Sequence, residues 1–436
     1  MTTTPLANEA VFGGAAALRG TVRVPGDKSL SHRALLLAAL AKGASRITHL
    51  ASGEDVAATR RIVEQLGVRI RDRRELTVVG SGIDGLREAE GVLDCANSGT
   101  SMRVLSGLLA GRPFLSVLTG DGSLRKRPMG RVTEPLKLMG AAIDGRENGR
   151  LAPIALRGGG LHAIDFALPV ASAQAKSALV FAALQADGPS RISSPSQSRD
   201  HTERMLAALG APVRVEGLDV VVDPLEDAWG GFELDVPGDP SSAAFFVVAA
   251  TITPGSEISL TDVAINPTRI GFVEVLRRMG ADIEIDFTHE LLGEPVGTIT
   301  VRSATLRATR LEGTEIPGVI DEIPALAMAA AFAEGISEIR DAEELTVKES
   351  NRIGAIQQEL VQLGIGCEAH RDGLTIRGGT PKPGSTLKSH GDHRIAMAAA
   401  VAAHALDGPS TVRGWASVGV SYPEFQADLA SLAGDS

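Results

Sequence analysis

Cysteine is nearly absent from this chain of 436 residues, which contains only Cys95 and Cys367. Two cysteines in unrelated sequence contexts exclude a disulfide framework and a multi-cysteine metal site, and they are typical of a protein of the reducing cytoplasm. Aromatic residues make up 3% of the chain, so the core must be built from Ala, Leu, Val and Ile. These scarcities predict a cytoplasmic protein with an aliphatic core.

Long apolar runs and a basic leader are missing as well. No stretch free of charge and glycine reaches the roughly eighteen apolar residues that a membrane-spanning helix needs, so we expect no membrane span. Residues 1–20 lack the basic segment and apolar run of a secretory signal. A formal net charge of −10 disfavours nucleic acid as a partner. Any anionic ligand must therefore be held by local clusters of cations, because the overall field opposes it.

Motifs for common cofactors are also missing. No Gly-x-Gly-x-x-Gly motif opens a predicted helix and no Walker loop is present, so neither a dinucleotide nor ATP is indicated. The nine histidines show no metal-ligand spacing.

Two interleaved series of glycines run along the whole chain. In the first, a Leu or Met and a Gly precede a strand-like segment, as in LGVRI and MGADI. Such a Gly supplies the left-handed conformation that closes a helix. In the second, Ala-rich helices end at sequences such as AKGASRI. The first series is Gly67, Gly140, Gly210, Gly280, Gly364 and Gly434, and the second is Gly43, Gly111, Gly188, Gly255, Gly335 and Gly408.

The spacing of these glycines predicts six compact units. Consecutive glycines of the first series are 73, 70, 70, 84 and 70 residues apart by subtraction, which is longer than a solenoid repeat. Each repeat contains two helices, of which one is amphipathic and suits a surface, as in GFVEVLRRMG. The other is apolar nearly all round, as in ALLLAALA, and must be buried. A chain of this length suits two domains of three repeats each.

Polar and cationic residues stand at the predicted starts of the apolar helices. A helix start offers unpaired N–H groups and a partial positive charge, so several starts together predict a cleft for ligands with phosphate or carboxylate groups. Ser, Thr and Asn are also ordinary helix caps, and this alternative stays open for each start alone. The residues are Lys28, Ser29, Arg33, Asn97, Ser98, Gly99, Thr100, Arg103, Ser172, Gln174, Lys176, Asp321, Asp392, His393 and Arg394.

Further cations precede the amphipathic helices: Arg127, Arg199, Lys348 and Arg352. Arginine can hold a carboxylate or phosphate with two parallel hydrogen bonds. The alternative is a solvated surface, which we favour for most of the other arginines.

Ten motifs together resemble the 5-enolpyruvylshikimate-3-phosphate synthase family, in the family's order and from about residue 12 to the end. They are PGDKSLSHR, NSGTSMR, RPMGR, SAQAK, RDHTE, PGDPSS, IDEIP, VKESNR, GDHRIAM and SYPEF. The combination of GDKS, SAQAK, RDHTE and NPTR is similar to the bacterial class II branch of the family.

The resemblance implies an α/β fold of the two-lobed enolpyruvyl transferase type, in which each lobe has three βαβαββ units around buried helices. One lobe would contain residues 1–22 and 239–436, the other would contain 23–238, and the active site would lie in the cleft between them. The implied substrates are phosphoenolpyruvate and shikimate 3-phosphate, with no metal or organic cofactor. We expect a monomer without nucleic-acid or membrane partners.

The implied reaction transfers the enolpyruvyl group of phosphoenolpyruvate to the 5-hydroxyl of shikimate 3-phosphate and releases phosphate. By resemblance Asp321, Glu349 and Lys28 are catalytic, although the division of proton transfers among them stays open. The residues implied for shikimate 3-phosphate are Lys28, Ser29, Arg33, Ser172, Ala173, Gln174, Arg199, Asp321 and Lys348. Those implied for phosphoenolpyruvate are Lys28, Asn97, Gly99, Arg127, Gln174, Arg352 and Arg394, with Thr100 and His393 as further candidates.

Alternatives remain beside this reading. Asp321 and Glu349 are also suited to be ion-pair partners of the cations. A related transferase that acts on UDP-N-acetylglucosamine usually carries a reactive Cys in a mobile loop, and the matching segment DGSLRKRPMG has none. A non-catalytic anion sensor would have lost the catalytic residues, which are present. The chain departs from the class I pattern at Ala173 and Val420, and Gly99 leaves sensitivity to glyphosate undecided.

Overall fold

The computed structural model describes residues 6–72 and 75–434. Contacts between Cα atoms divide the chain into two units. The terminal unit comprises Met1–Pro25, Pro237–His289 and Pro295–Ser436, and the central unit comprises Gly26–Val236 and Glu290–Glu294. The lobes expected from the sequence, with boundaries at 22/23 and 238/239, stay a prediction of functional domains.

Helices and short strands alternate along the described chain. The strands are β1 (Glu9–Phe12), β2 (Arg19–Val22), β3 (Lys42–Thr48), β4 (Arg69–Asp72), β5 (Leu76–Ser81), β6 (Leu93–Asp94), β7 (Leu115–Thr119), β8 (Ala142–Gly145), β9 (Leu151–Arg157), β10 (Asp165–Ala167), β11 (Ser190–Ser193), β12 (Val213–Glu216), β13 (Asp219–Val222), β14 (Glu233–Asp235), β15 (Glu257–Ala264), β16 (Asp282–Leu291), β17 (Glu294–Arg302), β18 (Arg310–Leu311), β19 (Ile336–Ile339), β20 (Gly366–His370), β21 (Gly373–Arg377), β22 (Thr386–Lys388) and β23 (Ser410–Arg413). The helices are α1 (Lys28–Leu40), α2 (Glu54–Gln65), α3 (Gly99–Ala110), α4 (Gly130–Leu138), α5 (Arg146–Gly149), α6 (Ala173–Ala183), α7 (His201–Ala208), α8 (Pro240–Ile252), α9 (Gly271–Met279), α10 (Ile316–Val319), α11 (Ile323–Ala331), α12 (Arg352–Gln362), α13 (His393–His404) and α14 (Phe425–Leu432).

Six small sheets repeat one pattern, three in each unit. The central unit has the strand orders β14-β3-β5-β4, β6-β7-β9-β8 and β10-β11-β13-β12. The terminal unit has β16-β17-β15-β2, β18-β19-β21-β20 and β1-β23-β22. In four of these sheets the two strands of a parallel pair stand before and after one buried helix in the chain, as β6 and β7 stand before and after α3. A parallel pair needs such a crossover connection, which places the helix on the sheet. In the other two sheets the parallel pairs, β14 with β3 and β2 with β15, join strands that are distant in the chain.

Three sheets are completed by strands from distant parts of the sequence. Strand β14 pairs in parallel with β3 and so supplies the first strand of the first repeat. Strand β1 pairs antiparallel with β23 and closes the sheet of the sixth repeat. The neighbouring strand β2 pairs in parallel with β15. The N-terminal segment is therefore part of the terminal unit's sheets.

The apolar helices lie in the interior of their units. Helices α1, α3 and α6 belong to the central unit, and α8, α11 and α13 belong to the terminal unit. Every residue of α8 and of α13 is buried. Ala and Leu favour helix formation, and a helix that is apolar all round must be enclosed. These six helices therefore form the centres of the two hydrophobic cores. Polar groups lie next to the cores at the first turns of these helices.

The amphipathic helices end as their glycines predict. Helix α9 buries Phe272 and Leu276, and Arg277 lies on its opposite, exposed side. It closes at Gly280, whose φ is 104° and whose N–H donates to the carbonyl of Arg277. All six glycines of the first series have positive φ angles, so their predicted left-handed conformation is confirmed.

Helices α3 and α6 pack closely at Gly107. A Cβ atom at this position would lie 1.9 Å from the carbonyl oxygen of Ala178. We expect Gly107→Ala to lower the free energy of unfolding by about 1–3 kcal/mol, because the added methyl forces the two backbones apart. Urea denaturation of the purified variant measures this change.

Gly354 provides a matched control on the helix α12. A Cβ atom there would meet its nearest neighbour at 3.6 Å, an ordinary contact. Gly354→Ala should therefore leave stability unchanged or raise it by up to about 1 kcal/mol, since Ala favours helix more than Gly. Equal losses in both variants would contradict the close packing at Gly107.

Two further observations concern the whole described chain. No helix within residues 6–72 and 75–434 is long and apolar enough to cross a membrane. Cys95 and Cys367 are both free, and burial raises the pKa of each thiol.

Candidate active site

The starts of the three buried helices of the central unit carry capped, partly polar turns. Asp27 caps α1 by accepting from the N–H of Leu30 at 2.6 Å. Ser98 caps α3, and Ser172 caps α6. The capping interpretation is thus correct for Ser98 and Ser172, and the structure adds Asp27 as a third cap. The remaining N–H groups and the helix dipoles are available to attract anions.

Lys28 lies at the first position of α1 and forms an ion pair with Asp55 of α2. Its Nζ is 3.1 Å from Asp55 Oδ2, and the two side chains are 22% and 13% exposed. The pair is partly open to solvent, so a more highly charged ligand can compete for the ammonium group. Ser29 follows on the same turn and is half-buried.

Arg33 is buried and is held by other side chains of its unit. Its Nε donates to Thr202 Oγ1 at 2.7 Å, and its Nη2 donates to Ser177 Oγ at 2.8 Å. Its Nη1 donates to the carbonyl of Ser29 at 3.0 Å. Burial lowers the pKa of Arg33 to about 10, while Glu203 opposes the shift, so the guanidinium stays charged at neutral pH. Two of its five N–H donors therefore join α1 to α6 and α7, and a third binds within α1.

A second group of polar side chains surrounds the start of α3. Arg127 Nη2 donates to Asn97 Oδ1 at 2.7 Å, and Asn97 Nδ2 donates to Asp121 Oδ2 at 2.6 Å. A Cβ atom on Gly99 would lie 2.9 Å from a nitrogen of Arg103 and 3.6 Å from one of Arg127. The absence of a side chain at Gly99 thus leaves room for two guanidinium groups over the helix start.

Arg103 is among the residues predicted at the helix starts, but the family resemblance assigned it to neither substrate. Its Nη1 donates to Gln174 Oε1, and its Nη2 donates to the carbonyl of Pro128 at 3.1 Å. Gln174 in turn donates to Thr100 Oγ1 at 2.9 Å. Arg103 stands one helical turn after Gly99 on α3, and this i, i+4 spacing is the signal that could have identified it.

The start of α6 combines Ser172 and Ala173 with residues before α7. Arg199 is half-buried, and its charge contributes to lowering the pKa of Arg33. Ser198 Oγ is buried and has no hydrogen-bond partner within the described residues. Beneath them Lys176 Nζ forms a buried ion pair with Glu203 Oε1 at 2.6 Å.

A chain of buried polar groups connects α1, α2 and α3. His32 Nδ1 is 2.7 Å from Thr59 Oγ1, which is 2.6 Å from Ser101 Oγ. Ser101 Oγ donates to Ser98 Oγ at 2.7 Å. Burial lowers the pKa of His32 to about 3, against the opposing charge of Asp55. The ring is therefore neutral at neutral pH.

Replacing His32 is expected to reduce the sensitivity of this protein to acid. Because its pKa falls from 6.5 to about 3 on folding, the unfolded chain binds a proton between these values and the native chain does not. Stability is therefore lost as pH falls below 6.5, by up to about 1.4 kcal/mol per pH unit. His32→Asn should lose less free energy of unfolding between pH 7 and pH 5 than the unmodified protein loses, measured by urea denaturation. The exposed His289→Asn variant is the control, and an unchanged pH dependence in His32→Asn would contradict the effect.

In the terminal unit, Arg352 donates hydrogen bonds to three carboxylates. Its Nε donates to Asp392 Oδ2 at 2.8 Å, its Nη2 to Glu349 Oε2 at 2.7 Å and its Nη1 to Asp321 Oδ1 at 3.2 Å. Lys348 Nζ is 3.6 Å from Asp321 Oδ1. The cluster thus brings both predicted catalytic carboxylates onto one guanidinium.

The electrostatics of this cluster follow from burial and charge. Arg352 is 1% exposed, and burial disfavours its charge, yet Glu349, Asp392 and Asp321 together raise its pKa above the usual value. Burial also disfavours the charged form of Asp392, but Arg352 and His393 hold its pKa below the usual range. The sequence interpretation of Asp321 and Glu349 as ion-pair partners is therefore correct for these contacts, and it does not exclude a catalytic role.

Arg394 differs from Arg352 in its contacts. Within the described residues its Nη1 donates to the carbonyl of Asp321 at 2.9 Å, and the same nitrogen is 3.8 Å from Glu322 Oε1. Most of its donors are thus available to a ligand. His393, next to it on α13, is buried and 3% exposed.

The structure divides the predicted residues between the two units. The central unit holds Lys28, Ser29, Arg33, Asn97, Gly99, Thr100, Arg127, Ser172, Ala173, Gln174 and Arg199, and the terminal unit holds Asp321, Lys348, Glu349, Arg352, His393 and Arg394. Their meeting in one cleft stays a prediction. No group of three or more His, Cys, Asp or Glu residues suited to a metal ion is found in the part of the chain that the structure describes.

The fold is similar to those of solved enolpyruvyl transferases. The crystal structure of the enolpyruvyl transferase NikO from Streptomyces tendae matches with a TM-score of 0.78 and 20% sequence identity, over 97% of this chain and 96% of that one. EPSP synthase from Acinetobacter baumannii matches with a TM-score of 0.87 and 42% identity, over 98% of both chains. The predicted α/β enolpyruvyl transferase fold is therefore confirmed.

Sequence comparison defines the family. The family model described as EPSP synthase (3-phosphoshikimate 1-carboxyvinyltransferase) matches residues 13–429. The 3-phosphoshikimate 1-carboxyvinyltransferase of Desulforudis audaxviator is 52% identical over 95% of this chain and 97% of its own length. That of Shouchella clausii is 48% identical over 99% of both. The chain belongs to the EPSP synthase family, as its motifs predicted.

Proposed function

We propose that this chain transfers the enolpyruvyl group of phosphoenolpyruvate to the 5-hydroxyl of shikimate 3-phosphate and releases phosphate. The observation that carries the proposal beyond the family match is the arrangement of two carboxylates, Asp321 and Glu349, on Arg352 beside Lys348. This arrangement provides groups that can exchange protons next to cations that can hold an anionic substrate.

The chemistry requires both kinds of group. The enol ether carbon of phosphoenolpyruvate becomes electrophilic only when its methylene carbon is protonated, and the attacking hydroxyl must lose a proton at the same time. Addition gives a tetrahedral intermediate, which loses phosphate and a methyl proton to restore the double bond. Glu349 is suited to protonate the methylene carbon and Asp321 to hydrogen-bond the hydroxyl, with Lys28 as a further proton carrier.

The central unit is suited to hold the phosphate groups. Asn97, Gly99, Arg127 and Gln174 surround the start of α3, where backbone N–H groups and guanidinium groups converge, and this supports a site for the phosphate of phosphoenolpyruvate. The starts of α1 and α6 in the central unit support a site for shikimate 3-phosphate that contains Lys28, Ser29, Arg33, Ser172, Ala173, Gln174 and Arg199. Asp321 and Lys348 stay predicted contacts of the same substrate.

The carboxylate of phosphoenolpyruvate suits Arg394 and Arg352. Arg394 has most of its donors available, whereas Arg352 is bonded to three carboxylates. A substrate carboxylate that reaches Arg352 must therefore compete with Glu349 or Asp321. We propose that Arg394 makes the first contact, and that contact with Arg352 releases Glu349 towards the methylene carbon.

The release of phosphate from phosphoenolpyruvate tests the activity. We expect release that depends on shikimate 3-phosphate as the acceptor. Release that depends on UDP-N-acetylglucosamine would instead support the related nucleotide-sugar transferase, and no release with either acceptor would support a non-catalytic anion sensor.

The remaining expectations belong to the same proposal. The free thiols of Cys95 and Cys367 support a cytoplasmic location. A monomer, the class II branch and independence from metal or organic cofactors stay predictions. Gel filtration measures whether the protein is a monomer, and turnover in the presence of a chelator measures whether it needs a metal.

A further inference from the structure

A buried row of polar side chains lies behind Arg394 in the terminal unit, and the function proposed above does not use it. Arg269, Ser241 and Glu322 are 2%, 3% and 1% exposed. Arg269 follows the strand β15, Ser241 is in the first turn of α8, and Glu322 immediately precedes α11. Three separate segments therefore place polar groups at one point of the core, where each needs a partner.

The hydrogen bonds in this row have a defined direction. Arg269 Nη2 donates to Ser241 Oγ at 3.1 Å and to Asp239 Oδ1 at 3.0 Å. A guanidinium group can only donate, so the hydroxyl hydrogen of Ser241 is left for Glu322 Oε1, which it contacts closely. The second carboxylate oxygen, Glu322 Oε2, is buried and has no hydrogen-bond partner among the described residues.

The row ends at Arg394. Glu322 Oε1 is 3.8 Å from Arg394 Nη1, too far for a hydrogen bond but close enough for an ion pair. The same nitrogen donates to the carbonyl of Asp321 at 2.9 Å. Because the guanidinium is planar, two contacts at one nitrogen restrict the direction of its remaining donors.

We propose that Glu322 is a positioning residue, held by Ser241 and Arg269, that orients Arg394 for the carboxylate of phosphoenolpyruvate. The inference rests on the proposed function, because it names the ligand that Arg394 binds. The buried charges of the row are balanced, with Arg269 and Arg394 opposite Asp239 and Glu322. Loss of Glu322 would remove one of the two contacts at Arg394 Nη1, and the hydrogen bond to the carbonyl of Asp321 would restrict the guanidinium less than both contacts do.

Glu322 could act by repelling the substrate carboxylate or by orienting Arg394, and these two roles predict opposite changes in the affinity for phosphoenolpyruvate when Glu322 is made neutral. If Glu322 acted mainly through its charge, it would repel the substrate carboxylate, and Glu322→Gln would bind phosphoenolpyruvate more tightly. If it orients Arg394, the same variant binds more weakly, because a neutral amide lacks the ionic attraction that Glu322 Oε1 exerts on Arg394 Nη1 at 3.8 Å. The geometry favours orientation, because the carboxylate lies behind the arginine and is enclosed by Ser241 and the protein core.

Steady-state kinetics on the full chain test this role. We expect Glu322→Gln to raise the KM for phosphoenolpyruvate about 10-fold, as for loss of one oriented charged contact, with the KM for shikimate 3-phosphate changed by less than about 2-fold. Glu322→Asp keeps the negative charge but places it one methylene further from Arg394, so it should also raise the KM for phosphoenolpyruvate. Ser241→Ala removes the hydroxyl that holds Glu322, leaves both charges in place and should raise this KM about 3-fold.

Glu359→Gln is the matched control. Glu359 is also a buried carboxylate of the terminal unit, and it accepts from the N–H of Lys388 at 2.8 Å and lies 2.6 Å from His390 Nε2. This variant should lower thermal stability and leave the KM for phosphoenolpyruvate unchanged. An unchanged or lower KM in Glu322→Gln, or an equal rise in Glu359→Gln, would overturn the proposal. Should Glu322→Gln fail to fold, an unchanged KM in Ser241→Ala would overturn it. Failure of the proposed function is seen separately, as absence of turnover in the unmodified protein.

Discussion

Glu349→Gln is expected to lower kcat by about 10²- to 10⁴-fold, the usual contribution of a general acid or base. Glutamine is nearly the same size and can still accept a hydrogen bond from Arg352, which Glu349 now accepts at 2.7 Å. It cannot deliver a proton to the methylene carbon. Both substrates should therefore still bind while turnover is lost, as measured by phosphate release and by calorimetric titration.

Glu343→Gln provides the control for this loss. Glu343 lies in the same segment, is exposed, and pairs with Arg371 at 3.2 Å on the surface. Exposed ion pairs contribute little to stability, and Glu343 is not among the predicted site residues. The kcat of this variant should therefore stay within about 2-fold of that of the unmodified protein. A kcat within about 10-fold of the unmodified protein for Glu349→Gln would refute the role in proton transfer.

Arg394→Ala should weaken the binding of phosphoenolpyruvate by about 100-fold, because it removes two charge-assisted hydrogen bonds to the substrate carboxylate. Arg394 is 7% exposed, so the lost contact is shielded from water and is not replaced by solvent. Binding of shikimate 3-phosphate should change far less. Calorimetric titration with each ligand separates the two affinities.

An exposed arginine of the same unit serves for comparison. Arg278 forms an ion pair with Glu315 at 2.7 Å, and both side chains are more than 40% exposed. Arg278→Ala should leave both affinities unchanged. Equal losses for the two ligands in Arg394→Ala would count against the assignment of this arginine to phosphoenolpyruvate.

The regular features of the fold were predictable because they depend on local sequence. Gly280 ends an amphipathic helix, and a left-handed residue is required at that point. Helix α8 is apolar on all sides, and such a helix must be enclosed. Neither feature depends on which distant residue is the neighbour, so composition and spacing sufficed.

Long-range pairing is less accessible to this reasoning. Residues 290–294 comprise the end of β16, the turn and the first residue of β17, far along the chain from α7, yet they belong to the central unit. Glu294 Oε1 lies 2.8 Å from His201 Nδ1 in a buried contact. Nothing in the local pattern of either segment indicates the other. The buried ion pair between Lys176 and Glu203 was equally inaccessible to sequence analysis. Local pattern had indicated only ligand-binding residues in these two segments.

The side-chain partners within the candidate site were only partly predictable. Helix starts identified where Lys28, Gly99 and Arg394 lie, because capping and the helix dipole are local properties. The contacts of Arg352 with three carboxylates depend on three separate segments. The sequence indicated which charges are present, whereas the way in which they neutralise one another required the structure.

The N-terminal strands have a consequence for synthesis of the protein. Strand β2 pairs with β15, and β1 pairs with β23; His404 also contacts the carbonyl of Ala16, 388 residues earlier in the chain. During translation β2 must wait until β15 is made, and β1 must wait until β23, near the end of the polypeptide, has left the ribosome. Such distant pairing slows folding and exposes strand edges to aggregation. A chain released before β23 is made would therefore present β1 without its partner, which makes premature termination a direct route to association with other nascent chains.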